Sequence, residues 1–335
     1  MRYLTAGESH GKALIGILEG MPAGVKIDLD KLNEQLRRRQ QGHGRGKRMA
    51  IETDTAEILS GVRGGVTLGS PIALIINNRD YDNWREVMDP VSGDPSLRRL
   101  TAVRPGHADL SGCIKYGFSD ARNVLERASA RETAMRTAIG ALCRQYLESK
   151  GITVSGKVLS VGGATELKDM EALIDKAKAE GDTLGGKAQI IISGAPVGLG
   201  SYVHYDRKLD GLLARELMGI QSVKAVEIGL GTKSAGLTGS KVHDGIYNQN
   251  GKYVRRTNNA GGIEGGMSNG EDIVVTVSFK PIPTLMKGLD TVDIATGKAV
   301  KAAPERSDVC AVWAGAVVAE NVSAFVIADI LIRDK

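Results

Sequence analysis

The chain has 335 residues, 42% hydrophobic and 25% charged, with a net charge of +5 and a pI of about 9.0. This is the balance of a globular chain able to bury a large core. It is too mildly basic to indicate a nucleic-acid surface, and 4% aromatics would supply few rings for base stacking. Glycine is the outlier: 43 residues, about twice the usual share of about 7%, with no collagen period, which suggests many tight turns or backbone brought close to ligands.

Helical and strand patterns alternate from the start. "ALIGILEG" (13–20) predicts a strand, and Asp28 or Asp30 can cap a helix through "LDKLNEQLRRRQ", whose leucines lie at 29, 32 and 36. "PIALIINN" (71–78) reads as a buried strand. "DARNVLERASARETAMRTAIGALCRQYLESKG" (120–151) reads as one long helix ended by Gly151. "QIIISGAP" (189–196) and "DIVVTVSF" (272–279) predict two further strands, and a last helix covers about 308–332. That apolar stretch is broken by Glu320, Asn321 and Asp329, so it reads as a buried helix and not a membrane span. Cys113, Cys143 and Cys310 are too far apart for a disulfide framework or a zinc site. The start, "MRYLTAGESHG", has no apolar signal core. These features predict a cytoplasmic, reduced, soluble protein with no metal, nucleic acid or membrane.

An internal echo runs through the chain. "ILEGMPAGVKIDLDKLNEQLRRR" (17–39) and "IISGAPVGLGSYVHYDRKLDGLLARELMGI" (191–220) both give a strand, then Gly-x-Pro-x-Gly, then a helix carrying acids early and cations late. A duplicated α/β unit accounts for this. With no Pro/Ser-rich linker between halves of roughly 1–150 and 151–335, a single domain is expected.

The densest cationic stretch is "RRRQQGHGRGKRM" (37–49). It is not a Walker loop: Gln41 stands where a glycine is needed and Arg48 where Ser or Thr should follow Lys47. Three readings remain open for it: a solvated helix end complementing the helix dipole, a nucleic-acid patch, or a glycine-hinged lid whose arginines grip carboxylate or phosphate. "GESHG" (7–11) and "RPGHAD" (104–109) each set a histidine in a glycine turn, and histidine is the side chain suited to proton transfer at neutral pH. "ERASARE" (126–132) reads as a helix surface with i,i+4 ion pairs at Glu126 and Glu132. "GGIEGGMSNG" (261–270) offers backbone amides to a flat or anionic ligand. "KPIPT" (280–284) is a rigid elbow. In "ERSDVCAV" (305–312), Asp308 reads as a helix cap.

The set and order of these motifs, with "RPGHADLSGCIKYGFSDARNVLERASARETA" and "SYVHYDRKLD", closely resemble the chorismate synthase family over nearly the whole chain. The resemblance implies an α+β fold, a β-α-β sandwich with helices between antiparallel sheets, two similar halves and a homotetramer. It implies an anti-1,4 elimination of phosphate from 5-enolpyruvylshikimate 3-phosphate, giving chorismate, with reduced FMN and no net redox change. By resemblance, His10 protonates the leaving phosphate, His107 stabilises the reduced flavin, and Asp308 assists removal of the ring proton. Arg39, Arg45, Arg48 and Arg131 are expected to meet substrate anions, and Arg39 and Arg45 also NADPH, a candidate source of flavin electrons. The implied FMN contacts are Arg127, Ala128, Ser129, Gln221, Ser222, Gly265, Lys280, Pro281, Ile282, Pro283, Thr284 and Arg306. The chain departs from the family pattern in ending at Lys335, in a compressed segment after Val158, and in Gln221-Ser222 where relatives often carry Asn-Ala. Its compactness leans toward an external flavin reductase.

Overall fold

A computed structural model describes residues 1–46, 53–302 and 307–334. β1 (Arg2–Ala6) and β2 (Ala13–Glu19) pair antiparallel, with Arg2 opposite Glu19 and Ala6 opposite Ile15. α1 (Leu29–Gln40) follows. Its cap is Asp28, whose carboxylate accepts the Asp30 amide at 2.9 Å and the Lys31 amide at 3.3 Å, and Leu32 and Leu36 face the core. β3 (Ala56–Ile58) and β4 (Ile72–Asn77) complete a four-stranded sheet in the order β1-β2-β4-β3. Among the helices that follow are α2 (Asp109–Tyr116), α3 (Arg122–Ala128) and α4 (Thr133–Glu148).

The second half repeats the scheme. β5 (Thr153–Val161), α5 (Leu167–Ala179), β6 (Gly186–Ser193), α6 (Leu209–Met218), β7 (Val223–Ile228) and β8 (Ile273–Phe279) lead to the closing helix α7 (Val312–Arg333). The sheet order is β5-β6-β8-β7, the same topology as the first. The echoed glycines occupy matching turns after β2 and β6: Gly20, Gly24, Gly194 and Gly198 all have φ between 81° and 95°, which only glycine adopts cheaply.

The helices lie between the sheets. Leu14, Leu18, Ile72, Leu74 and Ile76 of the first sheet face inward, as do Ile190, Ile192, Ile273, Val275 and Val277 of the second. α4 and α7 cross in the middle, with α1 against both. At the crossing a Cβ on Gly140 would stand 2.2 Å from the Asn321 carbonyl oxygen, so the approach requires glycine. α7 is long and apolar enough to cross a membrane, yet most of it is buried within the fold, as expected of a core helix that is hydrophobic all round.

Two local expectations change. The helix expected over 120–151 is broken: Ser129 is extended (φ −61°, ψ 142°) between α3 and a short 3-10 turn at Ala130–Glu132. The last helix begins at Val312 rather than 308, with Ala311 in the capping place, so Asp308 is not its cap.

Candidate active site

His10 lies in the turn after β1, and its neighbours fix it closely. The Glu126 carboxylate accepts the His10 backbone amide at 2.9 Å and stands 2.9 and 3.0 Å from Nδ1. A carboxylate only accepts, so Nδ1 carries the proton and Nε2 is the nitrogen left to exchange one. Arg122 donates to the same carboxylate at 3.0 Å. Burial alone would raise the Glu126 carboxyl, but the hydrogen bonds from His10 and the Arg122 cation hold it below its ordinary value. The Trp84 ring stacks on the imidazole at 4.0 Å between centroids, with the Arg98 guanidinium 4.0 Å from the indole centroid. Arg122 and Glu126 are thus the i,i+4 pair that the sequence suggests, but turned inward to orient a histidine.

Beside His10 lies a buried pair of arginines on one carboxylate. Arg131 Nη1 donates to Asp54 at 2.6 Å and Arg39 Nη1 to its other oxygen at 3.3 Å. Arg39 also donates to Thr133 Oγ1 and the Ala130 carbonyl. Burial pushes the Arg39 guanidinium down to about 10 against the pull of Asp54, which leaves it charged at neutral pH. Asn78 joins this pair to the histidine turn. Its Oδ1 accepts Arg131 Nε at 3.0 Å, and its Nδ2 donates to the Glu8 and Gly11 carbonyls on either side of His10. The break at Ser129 serves the same neighbourhood: Arg127 holds the Thr5 and Gly7 carbonyls, Ala128 ends α3, and the Ser129 hydroxyl lies 3.2 Å from Ser9 Oγ.

His107 repeats the arrangement. Its Nδ1 is 2.5 Å from Asp109, whose two oxygens also take Arg104 Nε at 2.9 Å and Nη2 at 3.1 Å. Burial would raise the Asp109 carboxyl, but the hydrogen bonds of His107 and Arg104 and the Arg104 charge hold it far below the usual range. Arg104 donates onward to Thr284 Oγ1 at 3.0 Å, Lys280 donates to the Gly106 carbonyl, and Thr183 donates to the Ile282 carbonyl. Pro281 lies within this elbow, and Pro283 packs by Gly106. Burial, with the nearby Lys224 charge, lowers the Lys280 ammonium. Gln221 and Ser222 bridge the two neighbourhoods: the Gln221 amide donates to Glu132, and the Ser222 carbonyl accepts the Lys280 amide at 2.8 Å. Ser222 has φ +70°, one of two non-glycine residues with positive φ among those described, and the buried Gln221 Oε1 has no hydrogen-bond partner. Strain and an orphaned acceptor together are typical of a ligand-facing turn.

Arg45 and Asp308 meet at 2.6 Å, and Asp308 also takes the Gly46 amide at 2.6 Å. Ser307 ties this pair to the elbow by donating to the Thr284 carbonyl. The glycines preceding it are set by packing as well as hinge freedom. Gly42 and Gly44 have φ of 116° and 86°, and a Cβ on either would come within 2.8 Å of Trp313 or Ile174. Arg48 and Arg306 lie outside the described residues. Gly265 has a φ of 61° and open space where a Cβ would stand. It lies in the turn of the short hairpin Ile263–Glu264 and Met267–Ser268 that precedes β8, whereas Lys280 follows the far end of β8.

Asp54, Asn78, Trp84 and the orienting role of Glu126 are not apparent from the sequence. Their partners are 53 to 116 positions away in most cases, so no local pattern marks them. A depression of about 350 Å³ at the other end of α1 and α4 is lined by Asp30, Lys31, Glu34, Gln35, Arg144 and Glu148. Lys31 already pairs with Glu148 there and Arg144 with Glu320.

Asp109 and Glu126 titrate below their ordinary values of 3.8 and 4.5. Each therefore stabilises the fold above those values, and loses that contribution as pH falls through the lowered ones. Thermal denaturation should show a Tm that falls below about pH 4, less steeply in Asp109→Asn. An unchanged acid slope in that variant would contradict the assignment.

Proton-exchanging imidazoles beside clustered guanidiniums suit acid–base work on a multiply charged anion, so fold and site define an enzyme of small anionic metabolites. Known proteins narrow that class. The family profile for chorismate synthase matches residues 1–332. The chorismate synthase of Caldicellulosiruptor saccharolyticus is 53% identical over 360 residues, covering 99% of this chain and 94% of that protein. That of Caldanaerobacter subterraneus subsp. tengcongensis is 56% identical over 330 residues, covering 98% and 92%. A crystal structure of chorismate synthase superposes with a TM-score of 0.79 at 39% identity, covering 99% of this chain and 92% of that one. The chain belongs to the chorismate synthase family. It is a carbon–oxygen lyase that eliminates phosphate from 5-enolpyruvylshikimate 3-phosphate to give chorismate, the last common step toward the aromatic amino acids. The family depends on reduced flavin.

Proposed function

We propose that the His10 neighbourhood receives the substrate's phosphate and that the Gln221–Lys280 neighbourhood holds FMN. One observation carries this reading: Asn78 ties the His10 turn directly to the Arg131–Asp54–Arg39 cluster. A proton donor and two anion-binding side chains are thereby held in one rigid piece. His10 passes a proton from Nε2 to the departing phosphate, and Arg39, Arg131, Arg45 and Arg48 take up the substrate's negative charges. Asp308 assists removal of the ring proton. Because Arg45 holds Asp308, a substrate anion that draws Arg45 away would free the carboxylate for that task.

The residues present fit a flavin mononucleotide. Gln221 Oε1 is a buried acceptor without a partner, suited to the imide N–H of the ring. Lys280, Thr284 and Arg306 supply cations and a hydroxyl for a phosphate, while Arg127, Ala128, Ser129, Ser222 and Pro281–Pro283 would wall the ring. His107, with Nδ1 held by Asp109, would offer its other nitrogen to stabilise the negative charge of a bound reduced flavin. Reduced FMN, when bound, supplies electron density to the breaking carbon–oxygen bond and recovers it. An external flavin reductase supplies the flavin electrons.

We also propose a cytoplasmic homotetramer of single-domain chains. Gly265, with open space at its α-carbon, would let the flavin approach the backbone. The test is titration of oxidised FMN with protein, followed by absorbance. A spectral shift that grows when substrate is added is expected; no shift with or without substrate would refute the shared site.

A further inference from the structure

Trp84 is one of two tryptophans in the chain, and it is half-buried. A tryptophan usually joins an apolar core, yet among the described residues Trp84 belongs to neither buried apolar cluster. It stands between a 3-10 turn at Arg79–Asn83 and a short helix at Arg85–Met88, with Asp82, Asn83, Arg85 and Glu86 exposed around it. Its ring is met by charged and titratable groups instead: the His10 imidazole at 4.0 Å between centroids and 28° between planes, the Arg98 guanidinium at 4.0 Å and the Arg122 guanidinium at 5.0 Å. The segment is tied to the histidine site at both ends. The Tyr81 amide donates to the Asn78 carbonyl at 3.2 Å, and the Trp84 amide to the Tyr81 carbonyl at 2.8 Å. Asn78 is the residue whose side chain holds the His10 turn. Farther on, Arg122 Nε donates to the Arg98 carbonyl at 2.5 Å while its Nη1 holds Glu126.

Glu126 and Trp84 therefore act on one imidazole, the first from its edge and the second from its face. A hydrogen bond at Nδ1 fixes one atom of the ring but leaves its plane free to tilt about that atom. An indole lying on the face removes the tilt, and Nε2 is left with one direction. The indole itself is held by two guanidiniums through the attraction of cations to an aromatic face, and a protonated imidazole gains from that face as well. We propose that Trp84 is a positioning residue for proton transfer: its indole locks the tilt of the His10 ring and so aims Nε2 at the departing phosphate. The inference rests on His10 being the proton donor. It requires no contact between Trp84 and the substrate. A tryptophan that merely packs residues 79–99 onto the protein would change binding or stability, and its effect would not depend on His10.

Steady-state chorismate formation by the full chain with reduced FMN tests this. Trp84→Leu stays apolar but loses the ring face. It should lower kcat roughly 10–100-fold, the scale of a small misplacement of a reacting group, with KM changed by less than about twofold. Trp84→Phe restores a ring face and should return kcat to within about threefold of the wild type. Adding Trp84→Leu to His10→Ala should cost nothing further, because the indole acts through the imidazole. A second readout needs no turnover. In a Trp313→Phe background Trp84 is the one tryptophan, and a protonated imidazole on its face quenches its emission. At about pH 6, where an ordinary histidine is largely protonated, adding His10→Ala should brighten that emission. If Trp84→Leu does not fold, Trp84→Met asks the same question. Four results would overturn the proposal: wild-type kcat in Trp84→Leu, a phenylalanine variant as impaired as the leucine one, a loss that persists in the absence of His10, or emission indifferent to His10. A wild-type rate in His10→Ala would instead refute the proton donor, so failure of that reading is seen in a different variant from failure of the positioning role.

Discussion

His10→Ala is expected to lower kcat by roughly 10²–10⁴-fold, the range for removing a general acid, with little change in KM. The expected split follows from geometry. The imidazole is held by Glu126 and Trp84, whereas the anion-binding charges reside on Arg39 and Arg131. Binding should therefore survive the loss of the ring. Glu126→Gln should produce a smaller loss, since the amide oxygen can still accept from Nδ1 while its nitrogen cannot serve Arg122. Losing less than threefold in His10→Ala would remove the histidine from the chemistry.

Asp54→Ala is expected to destabilise the protein by about 3–5 kcal/mol, the cost of breaking a buried ion pair from one side. Asp54 is fully buried, and the Arg39 and Arg131 side chains are nearly so. Without the carboxylate, the two guanidiniums lose a shared counter-charge in a low-dielectric site. An anion of the right size could replace the missing charge. Millimolar inorganic phosphate should accordingly raise the Tm of Asp54→Ala more than that of the wild type. Equal shifts in the two proteins would mean that the arginines do not form an anion site.

Much of the architecture is legible in the sequence because its signals are local. The Asp28 cap, the strands at 13–19, 72–77 and 273–279, and the paired Gly-x-Pro-x-Gly turns depend on neighbours within a few positions. Where a local pattern misleads, a distant partner has overridden it. Residues 120–151 are good helix formers throughout, yet Arg127 is drawn to Thr5 and Gly7 and Arg131 to Asn78 and Asp54, and the chain breaks between them at Ser129. Asp308 precedes a helix as a cap would, but its carboxylate is taken by Arg45 and Gly46. The histidines are visible as glycine-turn residues, whereas the carboxylate orienting His10 lies 116 positions away. The cationic stretch 37–49 is ambiguous by itself because charge does not name its partner. The fold resolves Arg39 toward Asp54 and Arg45 toward Asp308, and Arg38 away from both, onto Glu320.

An anaerobic assay of chorismate formation tests most directly whether this chain eliminates phosphate with the help of reduced flavin. With 5-enolpyruvylshikimate 3-phosphate and dithionite-reduced FMN, chorismate should accumulate in step with released phosphate. With oxidised FMN none should form. No chorismate under reducing conditions, or equal rates with oxidised flavin, would contradict the account.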